Sequence, residues 1–349
     1  MLNPKYEISN KLLNHLNRIS AAHNLIVNAP LIPKWESKLL MDAAVRSAHF
    51  STRIEGNPLT LDEVRDLFEG KEVYAKTRDK QEVMNYRKVL SFVNGEPEIS
   101  IGTIKEINRI TLEKIDDKEG GKFREIQNYI VKESNGKREI IYTPPPKELV
   151  PGMMNDLVEW IKNTVREEIS PVIIAGATHY EFVSIHPFLD GNGRTARALA
   201  TLVLYKLGYD TKRLFSLEEY YDRNLANYYS ALQSAQKNRD TEKEDITLWL
   251  EYFACGIADE LTRIEKQILN ISKDRALKDK GGQLELSERQ MKAVAYLQKH
   301  DKITNRDYAE KFNISGATAK RDLNELKSMG LLIQKGRGRS VYYVLMTRL

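Results

Sequence analysis

Cysteine is nearly absent: Cys255 is the only one in 349 residues. An intramolecular disulfide is therefore excluded, and the composition suits a reducing cytosol, so a cytoplasmic location is expected. Long apolar runs are missing too. None approaches the roughly 20 residues that a membrane span needs, the first residues show no signal-peptide pattern, and no membrane partner is expected. Histidine is sparse, six in all. His179, within an apolar helical stretch, has no companion at metal-ligand spacing, so zinc is not indicated and the residue reads as packed or surface. Charge of one sign is scarce as well, with 54 Lys and Arg against 49 Asp and Glu, a net of +5. Its distribution says more than its sum. Residues 287–349 hold 13 Lys/Arg and 6 Asp/Glu, a net of +7, which leaves −2 for everything before. A basic C-terminal module on a near-neutral body points toward nucleic acid. At 41% hydrophobic residues, the chain is long enough for two or more domains, each with its own core.

What the chain does have is concentrated in His186-Pro-Phe-Leu-Asp-Gly-Asn-Gly-Arg-Thr-Ala-Arg197. An apolar run from Ala198 to Leu207 follows and stops at Gly208, which reads as a loop feeding a buried helix with a glycine C-cap. The free N–H groups of such a helix start form an anion site. Gly191 and Gly193 allow an amide nest for phosphate oxygens. Arg194 and Arg197, three apart, share a face of the first turn and can grip further phosphates. Asp190 is placed to hold a magnesium ion through the same phosphates. His186 can take a proton near neutral pH, and the Pro187 ring biases it toward an extended backbone. Piecemeal, the same residues read as a capped helix start beside two solvated arginines.

Taken in order, they resemble the signature of the Fic family, His-x-Phe-x-Asp/Glu-Gly-Asn-Gly-Arg-x-x-Arg, at every position. The resemblance covers roughly residues 35 to 255. It implies a mainly α, Fic-type helical bundle with a β-hairpin flap, and transfer of AMP from ATP to a Ser, Thr or Tyr hydroxyl of a protein target or of the chain itself. His186 would deprotonate the target hydroxyl. Asp190 would carry Mg²⁺, the Gly191, Asn192, Gly193 and Arg194 segment would hold the nucleotide, and Arg197 its terminal phosphate. Relatives that phosphorylate, or that hydrolyse AMP off a target, remain open, as does a nucleotide-sensing DNA-binding regulator.

Upstream, helical spacing covers residues 5–20 and 36–51 around a Pro30–Pro33 turn, and the second helix ends in Ser51-Thr-Arg-Ile-Glu55-Gly56. Alone this is an ordinary helix end. The family's inhibitory helix carries Ser/Thr-x-x-x-Glu-Gly/Asn, so the resemblance implies that Glu55 pairs with Arg197 and competes with the γ-phosphate for its donors. Thr60-Leu-Asp-Glu63 reads as a capping box, and residues 78–93 and 103–115 as bundle walls. Phe123–Val131 reads as a strand, Asn135-Gly136 as a hairpin turn and Lys137–Tyr142 as the return. In Fic proteins this hairpin is the flap, which makes Gln127 to Val131 contacts for target and nucleotide, with Ile130 facing the site. Helices are expected over Glu148–Thr164, from Ser170-Pro171 to Ser184, and over Ile246–Ile271. By resemblance Tyr228 and Tyr229 border the adenine and ribose pocket, and Gln236 stands near where relatives often have an asparagine.

These readings divide the chain into an N-terminal helical region (1–100) carrying the inhibitory helix, a catalytic core (101–271), a linker (272–286) around Gly281-Gly282, and a C-terminal module (287–349). Three short helices and a basic hairpin give that module the outline of a winged helix-turn-helix. Ser315–Met329 would be its recognition helix, with Ser315, Thr318, Lys320 and Arg321 near the exposed start and Arg337 and Arg339 on the wing. The expected partners are a protein with a hydroxyl side chain, duplex DNA for the C-terminal module, and a second copy of the chain as a homodimer.

Overall fold

A computed structural model describes residues 2–29, 33–134, 137–164, 168–239, 241, 243–279, 287–300, 302–328, 331–336 and 341–345. The chain begins with α1 (Asn10–Asn28), α2 (Pro33–Ile54), α3 (Leu61–Phe68), α4 (Thr77–Asn94) and α5 (Ile101–Leu112). A hairpin of β1 (Ile130–Ser134) and β2 (Lys137–Tyr142) follows, then α6 (Val150–Thr164), α7 (Pro171–Ile185) and α8 (Asn192–Lys206). Next come α9 (Glu218–Arg223), α10 (Leu225–Gln236) and α11 (Thr247–Asp279). The chain closes with α12 (Glu288–Lys299), β3 (Ile303–Thr304), α13 (Asn305–Phe312), α14 (Gly316–Ser328), β4 (Leu332–Lys335) and β5 (Tyr342–Leu345). The fold is mainly α. It packs as two compact units, residues 1–29 with 42–266 and residues 30–41 with 267–349.

In the first unit the organising helix is α7. It is apolar on nearly every side, so a stable fold must cover it on every side. α8 and α6 lie against it, and α4 and α5 pack in turn on α8. Gly176 lets α11 come close, since a Cβ there would stand 2.8 Å from Leu250 Cδ2 and 3.0 Å from Phe253 Cδ1. The Trp249 Nε1–H donates to the Gly176 carbonyl at 2.7 Å. His179 is stacked on Trp249 at 4.9 Å and fully buried, a core histidine. α3 opens on the expected capping box, with Thr60 and Glu63 each satisfying the other's backbone N–H.

Three expectations need correction. Residues 123–129 are not strand, and β1 begins only at Ile130. The Arg124 N–H is spent on the Pro187 carbonyl at 2.9 Å, tying this segment to the loop after α7 and away from a ladder. Residues 272–279, expected to lack regular structure as the start of the linker, are helical, because α11 runs on to Asp279. Nothing before Gly281 breaks a helix there, and Lys, Arg, Ala and Leu favour one. The first helix starts at Asn10, not near residue 5, where the Ser9 hydroxyl accepts the Leu12 N–H. The Asn135-Gly136 turn, most of the Pro30–Pro33 turn and Gly281-Gly282 lie outside the described residues.

The C-terminal module has its own core of Val294, Leu297, Ile303, Tyr308, Leu323, Leu326, Leu332 and Tyr343. Its three strands are ordered β3-β5-β4, antiparallel, beside α12, α13 and α14. The two-residue β3 was not foreseen, because a strand that short shows no alternation to read.

Candidate active site

The loop between α7 and α8 is built by its neighbours. Arg124 is almost wholly buried, and its guanidinium donates to the carbonyls of His186 (3.0 Å), Ile126 (3.2 Å) and Pro145 (2.5 Å). It thus joins both stems of the hairpin to the loop. Asn108 on α5 donates to the Asp190 carbonyl at 2.9 Å and accepts the Gly121 N–H at 2.9 Å. Gly191 has φ 77°, and a Cβ there would stand 2.9 Å from Asn108 Nδ2, so both backbone angle and space call for glycine. The Asn192 side chain accepts the Phe188 N–H (2.9 Å) and donates to its carbonyl (2.8 Å). Both of its polar atoms are therefore committed to holding the loop. Neither Arg124 nor Asn108 was singled out in the sequence, where no pattern marks a residue whose work is to bond carbonyls.

His186 caps α7 with a left-handed backbone, φ 50° and ψ 59°, not the extended one expected from Pro187. The proline ring disfavours a right-handed continuation, and the loose carbonyls at the end of α7 select the left-handed turn. The His186 N–H then bonds the Phe182 carbonyl at 3.0 Å. Its ring Nδ1 lies 3.3 Å from the Val183 carbonyl, which can only accept, so Nδ1 carries the hydrogen and Nε2 keeps a lone pair. Burial pulls its pKa down to about 4, and the ring is neutral at pH 7.

Asp190 is about half exposed. Its Oδ1 accepts the Gly191 N–H (2.5 Å) and Arg194 Nη2 (3.2 Å), and its other oxygen has no bond among the described residues. Arg194 is buried, with an Nε that meets no hydrogen-bond partner among the described residues. Arg197 is held more tightly. Its Nε donates to Ser51 Oγ (2.9 Å) and its Nη2 to the Ser51 carbonyl (2.8 Å) and Glu55 Oε1 (2.9 Å). Its side chain is 2% exposed, that of Glu55 34%. Burial opposes the charge on Arg197, and the Glu55 carboxylate, with Tyr228 and Tyr86 facing it, outweighs that and raises its pKa. Glu55 Oε1 also fills the space that a Cβ on Gly193 would need. The N-terminal turn of α8, an anion site by its free amides, thus meets a carboxylate of the chain itself. Gly56, at φ 93°, turns the backbone away just after.

A cavity of about 160 Å³ opens beside this pair. Glu55, Ile130, His186, Gly193, Arg197, Tyr228, Tyr229 and Gln236 line it, joined by Val183, Tyr142, Ile141, Leu232 and Gln233. Asp190, Gly191, Asn192 and Arg194 lie outside that lining. The strand register shifts between Ile130 and Val131, which is how Ile130 and Ile141 both reach the cavity while Val131 and Ile140 stay exposed. Tyr228 is buried, its hydroxyl 3.2 Å from His179 Nε2, whereas Tyr229 is 41% exposed. Burial, then the charge of Arg197, lowers the His179 pKa to about 3. Gln236 donates to Ser184 Oγ at 3.1 Å.

In the C-terminal module Ser315 Oγ accepts the Thr318 N–H at 3.1 Å and meets Thr318 Oγ1 at 2.9 Å, so these two cap α14. Lys320 and Arg321 are exposed and line a surface groove with Ala317, Asn324, Glu325 and Ser328. Asn324 was not foreseen, although it stands one helical turn beyond Lys320. Arg337 and Arg339 lie outside the described residues.

Comparison with known proteins agrees with this geometry. The Fic/DOC family matches residues 98–204, and a DeoR-like helix-turn-helix domain matches residues 289–343. Protein adenylyltransferase fic-1 of Caenorhabditis elegans is 34% identical over 169 residues, 46% of this chain and 32% of that protein. Protein adenylyltransferase Fic of Drosophila willistoni is 32% identical over 174 residues, 48% of this chain and 33% of that protein. The chain spans about a third of the length of these curated relatives. A crystal structure of a Fic family protein from Desulfovibrio desulfuricans shares the fold across 99% of both chains, with a TM-score of 0.66 and 22% identity. The motif from His186 to Arg197 and the helices that carry it are accordingly a Fic domain of the Fic/DOC family, followed in the same chain by a DeoR-like helix-turn-helix domain.

Proposed function

We propose that this chain transfers AMP from ATP to a hydroxyl side chain of a protein target, and that Glu55 holds it in check. The observation that carries the reading is the Glu55 carboxylate on Arg197 and against Gly193, where a phosphate would otherwise sit. Relatives named protein adenylyltransferase support the reaction class. His186, neutral and with Nε2 open, takes the proton of the target hydroxyl. The hydroxyl oxygen forms a bond to the α-phosphorus, the bond from that phosphorus to the bridging oxygen breaks, and pyrophosphate leaves with the electron pair. The amides at the start of α8 and the unspent Nε of Arg194 bind phosphate oxygens. Tyr228, Tyr229 and Gln236 border the nucleoside. The exposed apolar residues Ile126, Tyr129, Val131 and Ile140 on and before the hairpin, with its open strand edges, suit a target backbone added by strand pairing.

Magnesium fits the same reading. Among the described residues no three His, Cys, Asp or Glu gather as a metal cluster, so Asp190 with its one unengaged oxygen is what the chain offers. Magnesium is commonly held by one carboxylate plus substrate phosphates. When bound, it supplies charge neutralisation at the phosphates. The reading is tested by incubating wild-type and Glu55→Gly protein with ATP labelled at the α-phosphate and host lysate. Label on a protein band, raised in the variant, supports it. Label transferred only from the γ-position, or an AMP-modified protein that loses its label, assigns phosphate transfer or reversal instead.

For the C-terminal module we infer binding to duplex DNA. Lys320, Arg321, Asn324 and Lys327 present themselves along the exposed side of α14, a helix-turn-helix second helix. Affinity that falls steeply as salt rises is the expected result, and none at low salt would leave the module a protein contact.

A further inference from the structure

Arg197 has a neighbour that the motif does not contain, since it lines a small cavity together with Glu218. Behind it, the Glu218 carboxylate at the start of α9 is buried, and three hydroxyls donate to its two oxygens. Ser47 and Ser216 reach Oε2 at 3.0 Å each, and Tyr86 reaches Oε1 at 3.0 Å. Three donors on two oxygens leave the group acting only as an acceptor. The Tyr86 hydroxyl, having given its hydrogen to Glu218, also meets the side chain of Ser51. Ser51 Oγ in turn accepts Arg197 Nε–H at 2.9 Å. Arg197 thus donates to Ser51, Tyr86 donates to Glu218, and the Ser51 and Tyr86 side chains meet between them. A guanidinium begins this chain and a carboxylate ends it, and every member is buried.

We propose that Glu218, acting through Tyr86 and Ser51, is a positioning residue for Arg197: it fixes the Nε edge of the guanidinium so that the fork keeps its aim when Glu55 leaves it. This inference rests on the reading that Arg197 receives the terminal phosphate of ATP. Glu55 and the relay grip different atoms, since Glu55 is bonded at Nη2 and the relay enters at Nε. Departure of Glu55 therefore leaves the relay intact, and a phosphate can take the vacated Nη side without Arg197 having to be rebuilt. Burial of a charge without a partner would be costly, and the buried Glu218 carboxylate lines a small cavity together with Arg197.

The test uses full-length protein in the Glu55→Gly background and measures binding of Mg²⁺-ATP and of AMP by calorimetry. Tyr86→Phe removes the link hydroxyl, and Glu218→Gln removes the terminal charge while keeping its shape. Each is expected to weaken ATP about threefold to tenfold, the scale of one or two lost hydrogen bonds, and to leave AMP within about twofold, since AMP has no terminal phosphate to offer Arg197. Weakening of AMP and ATP alike would mean a merely structural role, and unchanged ATP affinity in both variants would remove the relay from function; either result overturns the inference. Arg197→Ala is the reference. If it too leaves ATP affinity unchanged, the phosphate role of Arg197 itself has failed, a failure distinguishable from loss of the relay alone.

Discussion

Replacing Glu55 by glycine removes one carboxylate and adds no bulk, so its effect can be worked out from the contacts of Arg197. The arginine loses its 2.9 Å bond to Glu55 and keeps those to Ser51 Oγ and the Ser51 carbonyl. The fork stays in place, and one Nη edge becomes free. A charge-assisted hydrogen bond contributes about 1.5–3 kcal/mol. Because Glu55 is about one-third exposed, solvent screens the pair and the lower end applies. About 1.5 kcal/mol corresponds to roughly a tenfold gain in transfer at subsaturating ATP. The assay is label incorporation, including self-modification, in a cycle of wild type, Glu55→Gly, Arg197→Ala and the double variant. Arg197→Ala should cripple transfer in either background, because the donors themselves are gone, and the cycle then isolates the coupling of the pair. Equal rates in wild type and Glu55→Gly would refute the reasoning and return Ser51–Gly56 to a plain helix end.

Three further outcomes are expected. His186→Ala should abolish transfer while ATP affinity stays within about tenfold, because the ring serves the hydroxyl and not the nucleotide; retained transfer with lost affinity would reverse that assignment. The pH profile of transfer should be flat with respect to His186 from about pH 6 to 8 and fall only toward pH 4, since its lowered pKa of about 4 keeps it unprotonated above that. A limb centred near 6.5 would contradict its burial. By the same sign His186 and His179 bind fewer protons folded than unfolded between their lowered values and 6.5, so stability should rise with pH through that window and melting temperature drop on acidification. In the C-terminal module, Lys320→Glu with Arg321→Glu should weaken DNA binding and flatten its salt dependence, whereas Lys302→Glu, off α14, should change little; equal effects from both would place the contact elsewhere.

Much of this was legible in the chain, and the reasons are local. The capping box at Thr60, the glycine stop after α8 and the order of polar residues from His186 to Arg197 each depend on neighbours in sequence, which is what a sequence displays. Helix α7 could be placed because an apolar run of that length has to be buried. What failed was decided by distant partners. The strand expected from Phe123 is pre-empted by Arg124, whose backbone N–H and Nε bond residues some sixty positions on. The backbone of His186 follows the needs of the helix it ends, which outweigh the proline beside it. Arg124, Asn108, Tyr86 and Glu218 were invisible for the same reason. Each is an ordinary residue type whose role comes from a carbonyl, a hydroxyl or a cation brought close only by folding.

The burial of Arg197 bears on the division of work proposed between Glu55 and Glu218. A guanidinium with 2% of its side chain exposed has to have its donors matched. Were Glu55 its sole partner, with no bonds to Ser51, removing Glu55 would leave a bare buried cation, and the arginine would be expected to swing toward solvent or pull its helix apart. The inhibited state would then be reached easily and left only with damage. The exposed position of Glu55 at the end of α2 and the buried position of Glu218 at the start of α9 divide the work differently. The outer carboxylate can depart to solvent at small cost, because a third of it is already there. The inner one cannot, since three hydroxyls and the surrounding core hold it. On the proposed reading, a phosphate arriving at the start of α8 competes with Glu55 only, and meets an arginine still held by Ser51.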